Sequence, residues 1–528
     1  MLACALLAAA LTCSAPMADG TGKKAEYTNP VLYSDYSDPD VIRVGEDYWM
    51  TASSFTSYPG LQILHSTDLV NWEIVNAAIP RLEPAEDFDK PSHGNGIWAP
   101  AIRYHDGKYW IFWGDPDHGI FQVHAEDPRG EWSAPHLIMA AKGIIDTCPL
   151  WDDDGKTYLV HGWAGSRAGF KSVLSVCEMD RECTQITGEH VLVFDGKTNG
   201  NETVEGPKFY KKDGWYYIFA PSGGVKTGWQ LVLRSKSPYG PYEWRNVMHE
   251  GTSGIHGPHQ GGWVTDTAGD SWFLHFEDRY AWGRVCHLEP VSWTEDGWCI
   301  IGEDPDGDGI GQPVLKYRTP AGKSGTGTGV SALETATGFT GTAIPLNWQW
   351  EANPKYFWAM PNPSEGCLRM QCVKHPEGWK SLRDTPNILC EKVTGPETDF
   401  SAKLVFRPSY PGDRCGVILT GEDYSTMEMV YDGEKTVLRR VTSMLEDGNR
   451  EKASDALTVE GGPYFTLHVK VKVYGDCMVR FSYSLDGKKY RQLGEEFKAK
   501  AGKWIGAKLG FFATAEIMKN DGGTVDIY

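Results

Sequence analysis

The chain has 528 residues and a formal net charge of −19, with 60 Gly, 24 Tyr and 21 Trp. That length exceeds one ordinary core, so two or three domains are expected. The acidic balance argues against a nucleic-acid-binding surface. Abundant glycine and aromatics without a long 3.6-residue apolar period argue for strands and tight turns, an all-β chain.

In chain order, residues 1–20, "MLACALLAAALTCSAPMADG", are apolar and then small and polar, like a secretory signal without its basic start. Cys13 after Leu11 and Thr12 is an imperfect lipoprotein-type site, with cleavage after Ala15 or Ala18 as the alternative. The expectation is a secreted, periplasmic or outer-surface protein whose one membrane attachment is a lipid anchor.

Residues 27–318 carry five copies of one pattern, a Gly-containing turn followed by an aromatic-aliphatic strand. The turns fall at Gly45, Gly107, Gly155, Gly214 and Gly269, spaced by 62, 48, 59 and 55 residues. Repeats of this length and texture predict a five-bladed β-propeller, whose first strands line a central channel. One conspicuous side chain precedes each turn by 7 to 10 residues: Asp38, Trp98, Asp146, Glu205 and His259. Equal places in a repeat predict equal places in space, so these five are expected to converge on one axial pocket.

Each has a chemical reading. Asp38 precedes a proline, which holds it extended at a strand entry; Asp35 and Asp40 compete for its role. Glu205 stands before Gly206-Pro207 and an apolar run, a setting that favours its neutral form and suits a general acid. Asp146, after two isoleucines, can raise that acid further by like-charge repulsion. Trp98 suits stacking on a sugar ring. His259 reads as a substrate donor, a metal ligand or a structural histidine, and Arg284 as a donor to substrate hydroxyls. The run Asp152–Asp154 reads as a solvated turn. Cys177 and Cys183 are compatible with a local disulfide or with free buried thiols.

"AGKSGTGTG" at 321–329 marks a flexible linker, with boundaries at 319–330. Beyond it, residues 331–528 carry short alternating segments such as "YFTLHVKVKVYG" and "CMVRFSYSLDG", which predict an antiparallel β-sandwich serving as an accessory domain.

Six ordered motifs carry a resemblance: "NPVLYSDYSDPDVIRVGEDYW", "PGLQILHSTDLVNW", "GIWAPAIRYHDGKYWIFWG", "IDTCPLWDDDGKTYLVHG", "VEGPKFYKKDGWYYIFAPSGG" and "GRVCHLEPVSW". Together they resemble glycoside hydrolase family 43, and the C-terminal half resembles the concanavalin-A-like sandwich of family 43 β-xylosidases. The resemblance implies a five-bladed propeller and an inverting, exo-acting hydrolase of α-L-arabinofuranosyl or β-D-xylosyl ends of hemicellulose. It implies Asp38 as general base, Glu205 as general acid, Asp146 as the carboxylate that tunes the acid, and Arg284 as a substrate-binding arginine. It matches His259 to a central histidine that in many members lies beside a structural Ca²⁺; the "GPHQGG" setting departs from the commoner form. No organic cofactor is implied, and the partner is an oligosaccharide or polysaccharide. Two alternatives are a non-catalytic carbohydrate-binding propeller and a fructan-type retaining glycosidase. The second expects "NDPN" and "EC" motifs where this chain has "SDPD" and "VEGP".

Overall fold

The computed structural model describes residues 25–322, 333, 338–459, 464–517 and 519–528. The predicted export segment and all but the first residues of the predicted linker lie outside them.

Five four-stranded antiparallel sheets form a five-bladed propeller. Each blade is one continuous meander. The first strands are Asp40–Val44, Trp98–His105, Ile144–Trp151, Lys208–Lys212 and His259–Thr265, and the outermost are Glu73–Ile79, His136–Ala140, Val191–Asp195, Glu243–Met248 and Cys299–Ile301. The five repeat turns join first strand to second. At Asp106-Gly107 and Asp213-Gly214 the loop is two residues long and both have positive φ, the turn that matches strand twist. A Cβ on Gly107 would meet nothing within 4 Å, so the turn needs the backbone conformation rather than the space.

The strand period of two builds the ring. Alternate residues face opposite sides of a blade and feed two different cores. On the second strand of blade 1, Tyr48 and Met50 pack with Trp272 and Leu274 of blade 5, while Trp49 packs with Tyr109 and Ile111 of blade 2. On blade 4, Tyr216 and Ile218 face blade 3 and Tyr217 and Phe219 face blade 5. Five inter-blade cores therefore close the circle. The N-terminal strand Glu26–Thr28 pairs with Lys316–Arg318 and straps onto blade 5. There Asn29 donates to the carbonyls of Leu288 and Val314 and accepts from the Leu288 amide.

The C-terminal region forms two eight-stranded sheets packed face to face over a core that includes Trp348, Leu404, Phe406, Val469 and Phe511. It docks on the propeller with backbone pairing. Tyr58 and Trp350 exchange both hydrogen bonds, and the amides of Gly395 and Ala507 bond the carbonyls of Tyr33 and Ala281. A buried ion pair, Lys508–Glu351, lies in the same interface, where Lys508 also reaches the Ser57 hydroxyl at 3.1 Å.

Of the two readings of Cys177 and Cys183, the structure has the free buried thiols: all ten described cysteines are free and buried, and these two lie in the core between blades 2 and 3. One sequence expectation is corrected. Asp152 is not part of a solvated turn: its side chain is buried, paired with Lys211 and accepting from Tyr216.

Candidate active site

The five first strands share a local device. The backbone is left-handed at Asp38 (φ 54°), Ala99 (35°), Asp146 (59°), Gly206 (58°) and Gln260 (38°), one residue per blade, so Asp38 is not held extended by the proline after it as the sequence suggested. Strand pairing breaks register at this point in blades 2, 3 and 5. Such breaks re-aim side chains, and costly φ values in non-glycine residues gather where function demands them. Here they turn each strand entry toward one pocket of about 380 Å³.

Asp38 reaches that pocket from blade 1. Its carboxylate accepts from the hydroxyls of Ser37 (2.7 Å) and Ser53 (2.6 Å). Arg284 Nη1 lies 3.2 Å from Oδ1 and donates to Ser37 Oγ at 2.6 Å. Arg284 is thus both pocket lining and the clamp that fixes Asp38. The competing aspartates serve the scaffold. Asp40 accepts from Arg103 (2.6 Å) and the Ile102 amide, and Asp35 takes the Arg284 amide.

Asp146 enters from blade 3 and accepts from the Gly206 amide at 2.8 Å. That bond ties it to the backbone beside Glu205 of blade 4. The Glu205 amide in turn bonds the Pro221 carbonyl at 3.2 Å. Gly206 fills a position without room: a Cβ there would lie 2.4 Å from Gln260 Cδ. Burial first, then the charges of Asp146 and Asp38, push the Glu205 carboxyl up to about 8. Burial likewise raises Asp146 to about 7, with Asp38 adding to it and the Gly206 amide opposing it. Glu205 and Asp146 therefore keep protons at a pH where isolated carboxylates would have lost them. Glu205, with a third of its side chain facing the pocket, can donate one.

Trp98 also lines the pocket. Its Nε1 donates to the Gly94 carbonyl, its edge meets Trp504 at 6.4 Å, and the Arg167 guanidinium lies 5.7 Å from its ring. His259 does not join the pocket wall. It is buried against Phe276 with Nε2 3.6 Å from Glu205 Oε1. Burial and Arg284 lower its pKa to about 3, so it is a neutral ring beneath the acid. Among the described residues Glu205 is the one carboxylate in ion-pair range of it. Calcium takes six to eight oxygen ligands. The side chains at His259 do not supply such a cage, so the calcium expectation finds no fit here.

Gln260 and Trp504 are among the wall residues that sequence reading missed. Gln260, not His259, occupies the left-handed position of blade 5. It is buried, and its Nε2 has no hydrogen-bond partner among the described residues. A one-residue bulge puts Gln260 rather than His259 at the wall, and side-chain type does not report it. Trp504 comes from the sandwich loop before Lys508–Ala515 and faces Trp98 across the rim. No repeat could have pointed to it.

Residues 27–299 match the family model described as glycosyl hydrolases family 43, and residues 336–527 match that of the β-xylosidase C-terminal concanavalin A-like domain. The chain belongs to glycosyl hydrolase family 43. It is accordingly a glycoside hydrolase, with a carbohydrate as substrate. This family 43 chain is 34% identical to a putative β-xylosidase of Xylanibacter ruminicola over 94% of its own length and 87% of that protein. It is 27% identical to a non-reducing end α-L-arabinofuranosidase of Bacteroides ovatus, covering 81% and 80%. A crystal structure of a family 43 protein from Bacillus licheniformis superposes with a TM-score of 0.79 at 26% identity, covering 95% of this chain and 98% of that one.

Proposed function

We propose that this family 43 enzyme is an inverting exo-glycosidase that removes terminal β-D-xylosyl or α-L-arabinofuranosyl residues from hemicellulose oligosaccharides. The observation that carries this is the set Asp38, Asp146 and Glu205 around one pocket, with a clamped base and a protonated acid. Similarity to relatives named for both sugars supports the pentose.

In this reading Asp38, held by two hydroxyls and Arg284, takes a proton from water on one face of the sugar. Glu205 gives its proton to the leaving oxygen on the other. Inversion in one displacement needs room for that water, about 6.5–9.5 Å between the two carboxyl groups. Asp146 acts on Glu205 in two ways: its bond to the Gly206 amide fixes the acid's backbone, and its charge keeps the proton on. The Trp98–Trp504 rim suits stacking on one terminal sugar, and Gln260 Nε2 is a donor for a sugar hydroxyl. We further propose that the apolar N-terminal segment exports the protein, with lipidation at Cys13 as one form of that export.

The test is hydrolysis of aryl β-D-xyloside and aryl α-L-arabinofuranoside with the first-formed anomer followed by NMR. Release of an inverted pentose is expected, and the faster substrate names the sugar. A retained configuration, or no turnover of either by folded enzyme, overturns the proposal.

A further inference from the structure

A second group of side chains with ligand chemistry lies outside the pocket, in blade 3. His161 stands on the second strand, Thr157–Trp163, and Cys177 on the third, Val173–Met179. His161 pairs with Ser175 and Cys177 with Leu159, so His161 and Cys177 are diagonal neighbours on one face. His190, just before the fourth strand, closes over them. One ligand atom from each of the three lies within 4.8 Å of the other two, the one such group of His, Cys, Asp or Glu among the described residues. His161 and Cys177 are fully buried and His190 is partly exposed, which gives a way in.

The hydrogen bonds orient the rings. His161 Nδ1 lies 3.1 Å from the Gly162 carbonyl, which only accepts, so the network assigns the proton to Nδ1. Its Nε2 lone pair then faces the cluster, 2.8 Å from His190 Nδ1. A ring whose far N–H is held by a carbonyl while its other nitrogen is free to bind is the usual posture of a metal-ligating histidine.

We propose that His161, Cys177 and His190 form a binding site for a borderline-soft divalent cation of the Zn²⁺ class, with a fourth position left open. Two imidazoles and a thiolate select such an ion over Ca²⁺ or Mg²⁺, which take oxygen. On binding, Cys177 releases its thiol proton to solvent. The His190 proton moves from Nδ1 to the outer nitrogen, and Nδ1 becomes a ligand. The site has a built-in reporter. Trp163 meets the rings of His161 and His190 at 5.1 and 6.4 Å and also lines the active-site pocket.

The test uses the full-length reduced protein, incubated with Zn²⁺, desalted and assayed for metal by mass spectrometry. One zinc per chain is expected, with most of it lost in Cys177→Ser and in His190→Ala. Cys183→Ser, which alters a thiol of the same core outside the cluster, should keep it. Co²⁺ in place of Zn²⁺ should give a thiolate charge-transfer band that Cys177→Ser removes. If Cys177→Ser fails to fold, His190→Ala, altered at the partly exposed position, decides alone. Retention of no zinc by the native chain overturns the site, as does equal retention by folded His190→Ala.

Discussion

At the scale of single residues, the site is a problem in proton placement. Glu205 is useful as an acid only while it keeps its proton, and burial together with Asp146 and Asp38 keeps it on up to about pH 8. The alkaline limb of kcat/KM should therefore fall near pH 8, well above an ordinary carboxylate. Replacing Asp146 by Asn removes a neighbouring charge and should move that limb to lower pH; an unmoved limb would assign it to another group. Linkage gives the same shift a second reading. A carboxyl whose folded pKa lies above its unfolded value contributes stability below the unfolded pKa and loses it as pH rises toward the folded one. Glu205→Gln should therefore gain thermal stability relative to the native chain between about pH 4.5 and 8 while losing activity on natural glycosides. Substrates with good leaving groups need less protonation and should be hydrolysed better by this variant. Gln260 makes a separate prediction. Its buried amide donor has no partner among the described residues, and loss of one neutral hydrogen bond in Gln260→Ala should cost about 0.5–1.5 kcal/mol of transition-state binding. Steady-state kinetics on the preferred aryl glycoside measures it; unchanged kcat/KM would remove Gln260 from the substrate's contacts.

At the scale of elements, the repeat was legible because turn chemistry and strand period are local. Asp106-Gly107 and Asp213-Gly214 announce hairpins, and the alternation of Tyr216, Tyr217, Ile218 and Phe219 announces a strand buried on both faces. The carboxylates Asp38, Asp146 and Glu205 could be found in the same way, since each lies 7 to 9 residues before the glycine of its turn. His259 and Gln260 could not be told apart, because a one-residue bulge decides which neighbour faces the pocket, and nothing in side-chain type reports it. Trp504 was beyond reach for a different reason. It lies some 200 residues after the propeller's last pocket residue, in a loop whose partner is fixed only by docking. Its test belongs here. Trp504→Ala removes one side of the rim while leaving the three carboxyl groups untouched, so KM should rise for both glycosides with little change in kcat. A fall in kcat at constant KM would give the loop a role in the chemistry instead.

At the scale of the whole molecule, the sandwich is part of the catalytic unit rather than a neighbour on a tether. It supplies the rim through Trp504, pairs backbone to backbone through Tyr58 and Trp350, and inserts Lys508 beside Ser57 under the Phe55 side of the pocket. That insertion places two opposite charges, Lys508 and Glu351, out of water, each less than a tenth exposed. A buried pair adds little net stability over apolar residues of the same shape, but removing one partner strands the other. Lys508→Met should therefore destabilise the protein by about 3–5 kcal/mol, most of it the cost of leaving Glu351 charged and alone. Adding Glu351→Gln should recover much of that loss, because the stranded charge is then gone. Urea unfolding at neutral pH, followed together with pentose release, separates the two possible roles of the interface. If the pair only holds the domains together, the double variant regains both stability and activity. If the ion pair also sets the height of the Trp504 loop over the sugar, stability returns while KM stays high. A single Lys508→Met as stable as the native chain would mean that Glu351 finds another partner or a proton, and that docking rests on the backbone pairing and the apolar contacts alone.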